Sequence, residues 1–392
     1  MTGIVVPKHL EGRVWGCLFL RIATDLVRYC MTLLLTETLV CLFLFLSLTS
    51  NYRFCLSEKV HILCLSCEAF KMHITNSSGC NVYSAMEPFP YFYYLIFLIG
   101  FIGSCFALWT FLKAEQHRRC MSVYLINLLT ADFLLTLALP VKIAVDLGVA
   151  PWKLKIFHCQ VTACLIYINM YLSIIFLGFV SMDRCLQLIH SCKIYRIQEP
   201  GFAKMISAVV WTMVLFIMVP NMAIPIKEIK ETANVGCIDF KTTVGRDWHV
   251  FTNFICSAIF LNFSAIVLIS NCLVIRLLYR NRYNVSYDNV KKALVNIFLV
   301  TASYIICFLP YHIVRIPYTL SQSKAITTDC SLRRTLFKAK ESTLLLGVSN
   351  LCFDPILYFY LSKTFRLNVT KAFGSRKENN TLPGNALTET AL

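Results

Sequence analysis

The sequence predicts an all-α membrane protein, a seven-transmembrane-helix bundle followed by a short amphipathic eighth helix. Three observations carry that prediction. The chain is 57% hydrophobic and 15% charged, with a mean hydropathy of +0.64, whereas soluble domains run at about a quarter charged. Seven long apolar runs with short connections follow residue 90. Two of them each hold one internal carboxylate, Asp132 and Asp354, and a membrane tolerates such a group only when it is paired, hydrated or protonated.

A spanning helix needs about 20 mostly apolar residues, and hydrocarbon offers nothing to hydrogen-bond a bare backbone, so each run must be helical. The runs centre on Tyr91–Leu112, Met121–Val145, Gln160–Met182, Met205–Ile226, Val250–Ile275, Ala293–Val314 and Ser342–Leu361. Residues 362–373 follow as an amphipathic segment, with Phe365 and Phe373 on one side and Lys363, Arg366 and Lys371 toward headgroups. Residues 374–392 read as a disordered tail. The chain thus divides into a leader region 1–90, a helical domain 91–361, the surface helix 362–373 and the tail.

Within the leader, Cys30–Ser50 is a further apolar run containing Glu37 and following Lys8, Arg13, Arg21 and Arg28. Two readings fit it equally: a signal anchor with its amino end inside, or a segment absent from a mature chain starting near Met72. Lysines and arginines cluster between the first and second, third and fourth, and fifth and sixth runs, and again in the tail. That bias places the carboxyl terminus in the cytoplasm. The opposite face is also basic, through Lys227, Lys241, Arg315, Arg333 and Lys340 among others, so charge alone decides weakly. The sequon at Asn76 supports the same orientation, because glycosylation occurs on the lumenal side.

The formal charge of +16 does not imply a nucleic-acid partner. The basic residues sit in short loops flanking spans, with no basic domain apart from them. The 19 cysteines form no paired CxxC spacing, and many lie inside the runs, where a thiol is a small apolar group. No phosphate-binding, nucleophile-elbow or HExxH motif occurs, so the sequence offers no enzyme chemistry.

Marker residues inside the runs are more specific than the count of seven. Cys159 opens the third and Asp183-Arg184-Cys185 closes it; Trp211 lies in the fourth. Cys307-Phe308-Leu309-Pro310 lies in the sixth, and Asp354-Pro355-Ile356-Leu357-Tyr358 in the seventh. In this order the chain resembles the rhodopsin-like G-protein-coupled receptors. His312-Ile313-Val314-Arg315-Ile316-Pro317-Tyr318, Lys340-Glu341-Ser342-Thr343-Leu344 and the Asp-Pro of the seventh run resemble the purinergic branch, which answers nucleotides and nucleotide-sugars.

That resemblance implies a plasma-membrane receptor that senses an extracellular anion, a nucleotide, nucleotide-sugar or small peptide. It implies activation of an inhibitory-class heterotrimeric G-protein, no catalysis and, in some arrangements, a receptor dimer. A non-signalling heteromeric partner is the alternative reading. A transporter is the less favoured one, since no internal repeat or broken helix pair is evident.

By the same resemblance, Tyr167, Lys241, His249, Asn253, His312, Arg315 and Lys340 form the ligand site. Arg suits phosphate or carboxylate bidentately; the residues alone equally allow Arg315 to pair with Glu341. Asp183, Arg184, Asp354, Pro355 and Tyr358 serve coupling, with Phe308, just before the kink of Pro310, as an aromatic toggle beneath the ligand. Disulfides Cys159–Cys237 and Cys80–Cys330 are implied. No resident cofactor is implied beyond a sodium ion at Asp132, Ser173, Asn350 and Asp354. The residues by themselves leave open a proton shared between Asp132 and Asp354. Ser104, Phe263, Cys185 and Asn271 depart from the family pattern, Asn271 standing where an activating Tyr is usual.

Overall fold

The computed structural model describes residues 82, 87–112, 120–189, 198–229, 235–280, 287–322, 329–362 and 365–371. The leader run at 30–50, Cys80, the Asn76 sequon, Phe373 and the tail lie outside them. Seven helices are long and apolar enough to cross a membrane: Phe89–Leu112, Cys120–Asp146, Trp152–Gln187, Pro200–Ala223, Thr243–Arg280, Val290–Ser321 and Cys330–Leu361. They are numbered here as the first to seventh spans. The third is the most enclosed and the first among the least, which places the third at the bundle axis.

Span ends differ from the apolar runs where the backbone rather than hydropathy decides. The fourth run was expected to reach Ile226, yet its helix stops at Ala223. Pro225 crowds the residue before it and excludes the helical region there. Ile224 is accordingly extended, at φ −64° and ψ 128°, and Ile226 then bridges to Lys241. The seventh helix begins at Cys330, well before the apolar residues at Ser342. Its first turns are polar because they rise out of the apolar layer, and hydropathy is blind to them. That helix is interrupted at Ser349 and resumes at Asn350–Leu361.

Two glycines set how closely the first span approaches the seventh. A Cβ on Gly100 would collide with Leu351 Cδ2 and Cγ, and one on Gly103 would lie 2.5 Å from Pro355 Cγ. The short eighth helix covers residues 365–371. Ser362 Oγ accepts the Phe365 N–H at 3.2 Å, a side-chain cap. Phe365 is buried edge-on against Phe106 with ring centroids 5.6 Å apart.

Candidate functional site

A cavity of about 240 Å³ opens among the second, third, fifth, sixth and seventh spans at the end that carries Cys159–Cys237. That disulfide is formed, with a Cα–Cα distance of 5.0 Å, and Cys237, Ile238 and Lys241 form part of the cavity wall. The bridge fixes the connection between the fourth and fifth spans to the head of the third, where a single π-helical turn, His158–Thr162, interrupts the α-ladder. Such turns recur at functional positions. Cys330 is also disulfide-bonded.

Six of the seven expected ligand residues line this cavity: Tyr167, Lys241, His249, Asn253, Arg315 and Lys340. His312 does not line it. It faces the same side of the sixth span as Arg315 but lies three residues deeper, roughly 4.5 Å along a helix axis. There its ring stacks on Phe260 at 3.8 Å and 4°, and Nδ1 contacts the Phe308 carbonyl at 2.8 Å. His312 is therefore packed between the cavity floor and Phe308. Phe308 is fully buried and edge-on to Tyr304.

Arg315 is the centre of the wall. It is 3% exposed, and its Nε and Nη2 donate to Asn253 Oδ1 at 3.2 and 2.9 Å. Nη2 also lies 3.1 Å from His249 Nε2. A guanidinium only donates, so that nitrogen must accept, which fixes His249 as the neutral tautomer protonated on Nδ1. Asn253 is oriented in turn by donating Nδ2 to Thr319 Oγ1. The rings of Tyr167, Tyr311 and Tyr318 surround the guanidinium at 5.4–5.8 Å, a range in which ring quadrupoles attract a cation. Among the described residues no carboxylate pairs with it. The pairing of Arg315 with Glu341 that the sequence left open is not made.

Glu341 is instead taken by Lys340 and by Lys142, the latter at 3.6 Å. Lys142 is 4% exposed, bonds Asp146 at 2.9 Å and lies 4.8 Å from the Tyr93 ring centre. Sequence reading missed Lys142. The available signal was a lysine inside an apolar run with an aspartate four residues on, a helical i,i+4 pair. Lys241, on the loop side of the wall, donates to Asn221 Oδ1 at 3.5 Å, and burial pulls its ammonium below the usual lysine range.

Deeper in the bundle, Asp132 is 1% exposed. It accepts from Tyr358 Oη at 2.6 Å and Asn169 Nδ2 at 3.2 Å. Asp354 is also fully buried, and Asn350 Nδ2 donates to its Oδ2 at 2.6 Å. Ser173 Oγ, Asn350 Oδ1 and Asp354 Oδ1 are buried without a hydrogen-bond partner, and Ser173 stands one helical turn from Asn169. This set of hard oxygen donors fits a sodium ion as well as a shared proton.

At the opposite end, Arg184 donates to the Leu361 carbonyl at 2.7 Å. Asp183 accepts from Gln187 at 2.6 Å and Gln198 at 3.4 Å. A second cavity of about 280 Å³ lies here, lined by Arg184, Asn271, Asn296 and Leu361 among others. Asn271 Nδ2 donates to Thr301 Oγ1 at 2.6 Å, tying the fifth span to the sixth. Trp211 Nε1 donates to Asn127 Oδ1 at 2.8 Å, tying the fourth to the second.

Residues 103–358 match the family described as 7 transmembrane receptor (rhodopsin family). The chain is 76% identical to the G-protein coupled receptor 171 of Homo sapiens over 306 residues, 78% of this chain and 96% of that one. It is 35% identical to the purinoceptor 14 of Bos taurus over 293 residues, 74% of this chain and 86% of that one. Against the purinoceptor 13 of Homo sapiens it is 36% identical over 280 residues, 71% and 78% of the two chains. With seven spans, a vestibule at one end and Asp183-Arg184 at the other, the chain belongs to the rhodopsin family of seven-transmembrane receptors: it is a multi-pass plasma-membrane G-protein-coupled receptor, not an enzyme, whose partners are an extracellular ligand and a G-protein.

Proposed function

We propose that this receptor senses an extracellular anion, a nucleotide, nucleotide-sugar or small acidic peptide, and activates an inhibitory-class G-protein from a cytoplasmic Arg184 end. The observation that carries the proposal is Arg315, a buried guanidinium with only neutral hydrogen-bond partners, facing the cavity beside Lys241. Five cationic side chains line that cavity against two carboxylates, and both carboxylates are already engaged by lysines. An uncompensated cation in a low-dielectric cleft attracts a multiply charged ligand far more strongly than an exposed one. The purinoceptor likeness supports a phosphate-bearing ligand, and Arg suits a phosphate or carboxylate fork equally.

The ligand would couple to the far end through the sixth span. Arg315 and Tyr318 face the cavity; one turn below Arg315, His312 stacks on Phe260 and holds the Phe308 carbonyl. Pro310 lacks the donor that would keep the helix straight there. A ligand that binds better to one bend of this helix shifts the population toward it, by no more than its difference in affinity. A sodium ion at Asp132, Ser173, Asn350 and Asp354 would supply a positive charge that holds the second, third and seventh spans in the inactive packing.

The test is activation of inhibitory-class G-protein in expressing cells challenged with nucleotides, UDP-sugars and acidic peptides, wild type against Arg315→Ala. A ligand that activates wild type should lose roughly 30- to 150-fold potency in the variant, about 2–3 kcal/mol for a charge-assisted contact. Unchanged potency at equal surface expression would remove the anion site.

A further inference from the structure

We propose that Asn271 and Thr301 form a clasp that positions the sixth span, holding its Arg184 end against the fifth until the receptor couples. The inference rests on the reading that this end meets the G-protein, and not on the ligand's identity. The clasp is one directed hydrogen bond. Thr301 Oγ1 donates its only proton to the Ile297 carbonyl of its own helix at 2.8 Å. Its oxygen is therefore left as an acceptor, and Asn271 Nδ2 must be the donor across the 2.6 Å gap. Asn271 is buried, and the bond lies in the wall of the cavity that also holds Arg184.

The clasp is placed where the sixth span must move. Above it the two spans are also joined, by Ser264 to Tyr304 at 3.1 Å and by Asn253 to Arg315. Thr301 lies nine residues below Pro310, about 14 Å of helix. A swing at the kink thus displaces Thr301 more than Tyr304, and a displacement of about 1 Å takes a 2.6 Å bond out of hydrogen-bond range. One turn further toward the Arg184 end, Cys185, Val274, Leu278 and Ile297 close an apolar cluster across the third, fifth and sixth spans. The clasp and this cluster separate together, so Cys185, buried while the cluster is closed, becomes reachable from that end once the sixth span moves.

The prediction follows for Asn271→Ala and Asn271→Asp, which remove the donor, and for Thr301→Val, which removes the acceptor at constant shape. Each should raise two ligand-independent readouts by roughly two- to tenfold, the population shift expected for one hydrogen bond lost from one of two states. The first is recruitment of engineered G-protein mimics of all four classes. The second is modification of native Cys185 by a charged thiol reagent in inside-out membranes, quantified by mass spectrometry. Thr301→Ser keeps the hydroxyl and should restore wild-type values. The double variant Asn271→Ala/Thr301→Val should exceed neither single variant, because both break one interaction. Cys185 modification that stays flat or falls in the Asn271 variants, at wild-type surface expression, overturns the clasp. If modification rises while recruitment of every mimic stays flat, the clasp stands and coupling at this end is what fails.

Discussion

Substituting Gly103 with Ala tests the packing that places the seventh-span residues around Asp354. The new Cβ would sit 2.5 Å from Pro355 Cγ and 3.2 Å from Pro355 Cβ, whereas carbon atoms rest about 3.5–4.0 Å apart. A pyrrolidine ring has no rotamer into which it can withdraw, so the first and seventh spans must separate by about 1 Å. Overpacking of this kind costs about 1–3 kcal/mol. Gly100→Ala meets the branched carbon of Leu351 still more closely, and Leu351 is fully buried, so its cost should be similar. The two sites are one helical turn apart, and once the spans have parted for one methyl the second fits more easily. The double variant should therefore lose less than the sum. Gly201→Ala is the internal control: nothing lies within 4 Å of its Cβ, and in a helix alanine is favoured over glycine by about 0.5–1 kcal/mol. Thermal unfolding of detergent-solubilised receptor should show drops of roughly 2–10 °C for the first two and none for the third. Gly103→Ala as stable as Gly201→Ala would refute the close approach.

Other predictions concern the charged groups. Millimolar sodium should weaken activation of wild type, and Asp132→Asn should abolish that sensitivity by removing one ligand charge; activation indifferent to sodium in wild type leaves the shared proton as the occupant of the site. Burial lowers the Lys241 pKa, so its ammonium is present below that depressed value and lost as pH rises through it. Potency of an activating anion should therefore fall on the alkaline side at a lower pH than an exposed lysine would give. Lys241→Arg should remove the fall, since a guanidinium stays charged up to about pH 12; an identical profile in the variant would exclude Lys241 from the site.

Seven spans were legible because hydropathy over the thickness of hydrocarbon leaves a chain no other choice of structure. Their ends were not, because helices continue past the apolar layer, as at Cys330–Glu341, or are cut by a local rule, as at Ile224 before Pro225. Six of the seven residues named by the family likeness line the cavity, and His312 lies a turn deeper against Phe260, because a motif along one helix does not state depth. Lys142 was missed because its second partner, Glu341, belongs to another span, far along the chain. Asn271 was visible as a departure from the family pattern, yet its partner Thr301 was not, since no pattern along one helix states which residue of the next it meets.

Lys142 offers the sharpest contrast with Arg315, because both are buried cations on one cavity and only one is neutralised. Lys340, Glu341, Lys142 and Asp146 form a chain of two positive and two negative groups in contact. Such a set sums to no charge and has little with which to attract an anion, while Arg315 and Lys241 across the cavity retain theirs. Removing a member of a buried pair strands its partners and costs about 3–5 kcal/mol, so Lys142→Ala should act on folding. Fewer receptors should reach the surface, and those that do should respond with potency within about threefold of wild type, below the roughly 1.4 kcal/mol of a tenfold change. Arg315→Ala should do the reverse, since Asn253 and His249 are neutral and can turn to water in the cavity. Dose–response curves normalised to surface receptor number separate the two. A Lys142→Ala variant that reaches the surface normally yet loses potency as steeply as Arg315→Ala would place the anion on the wrong side of the vestibule.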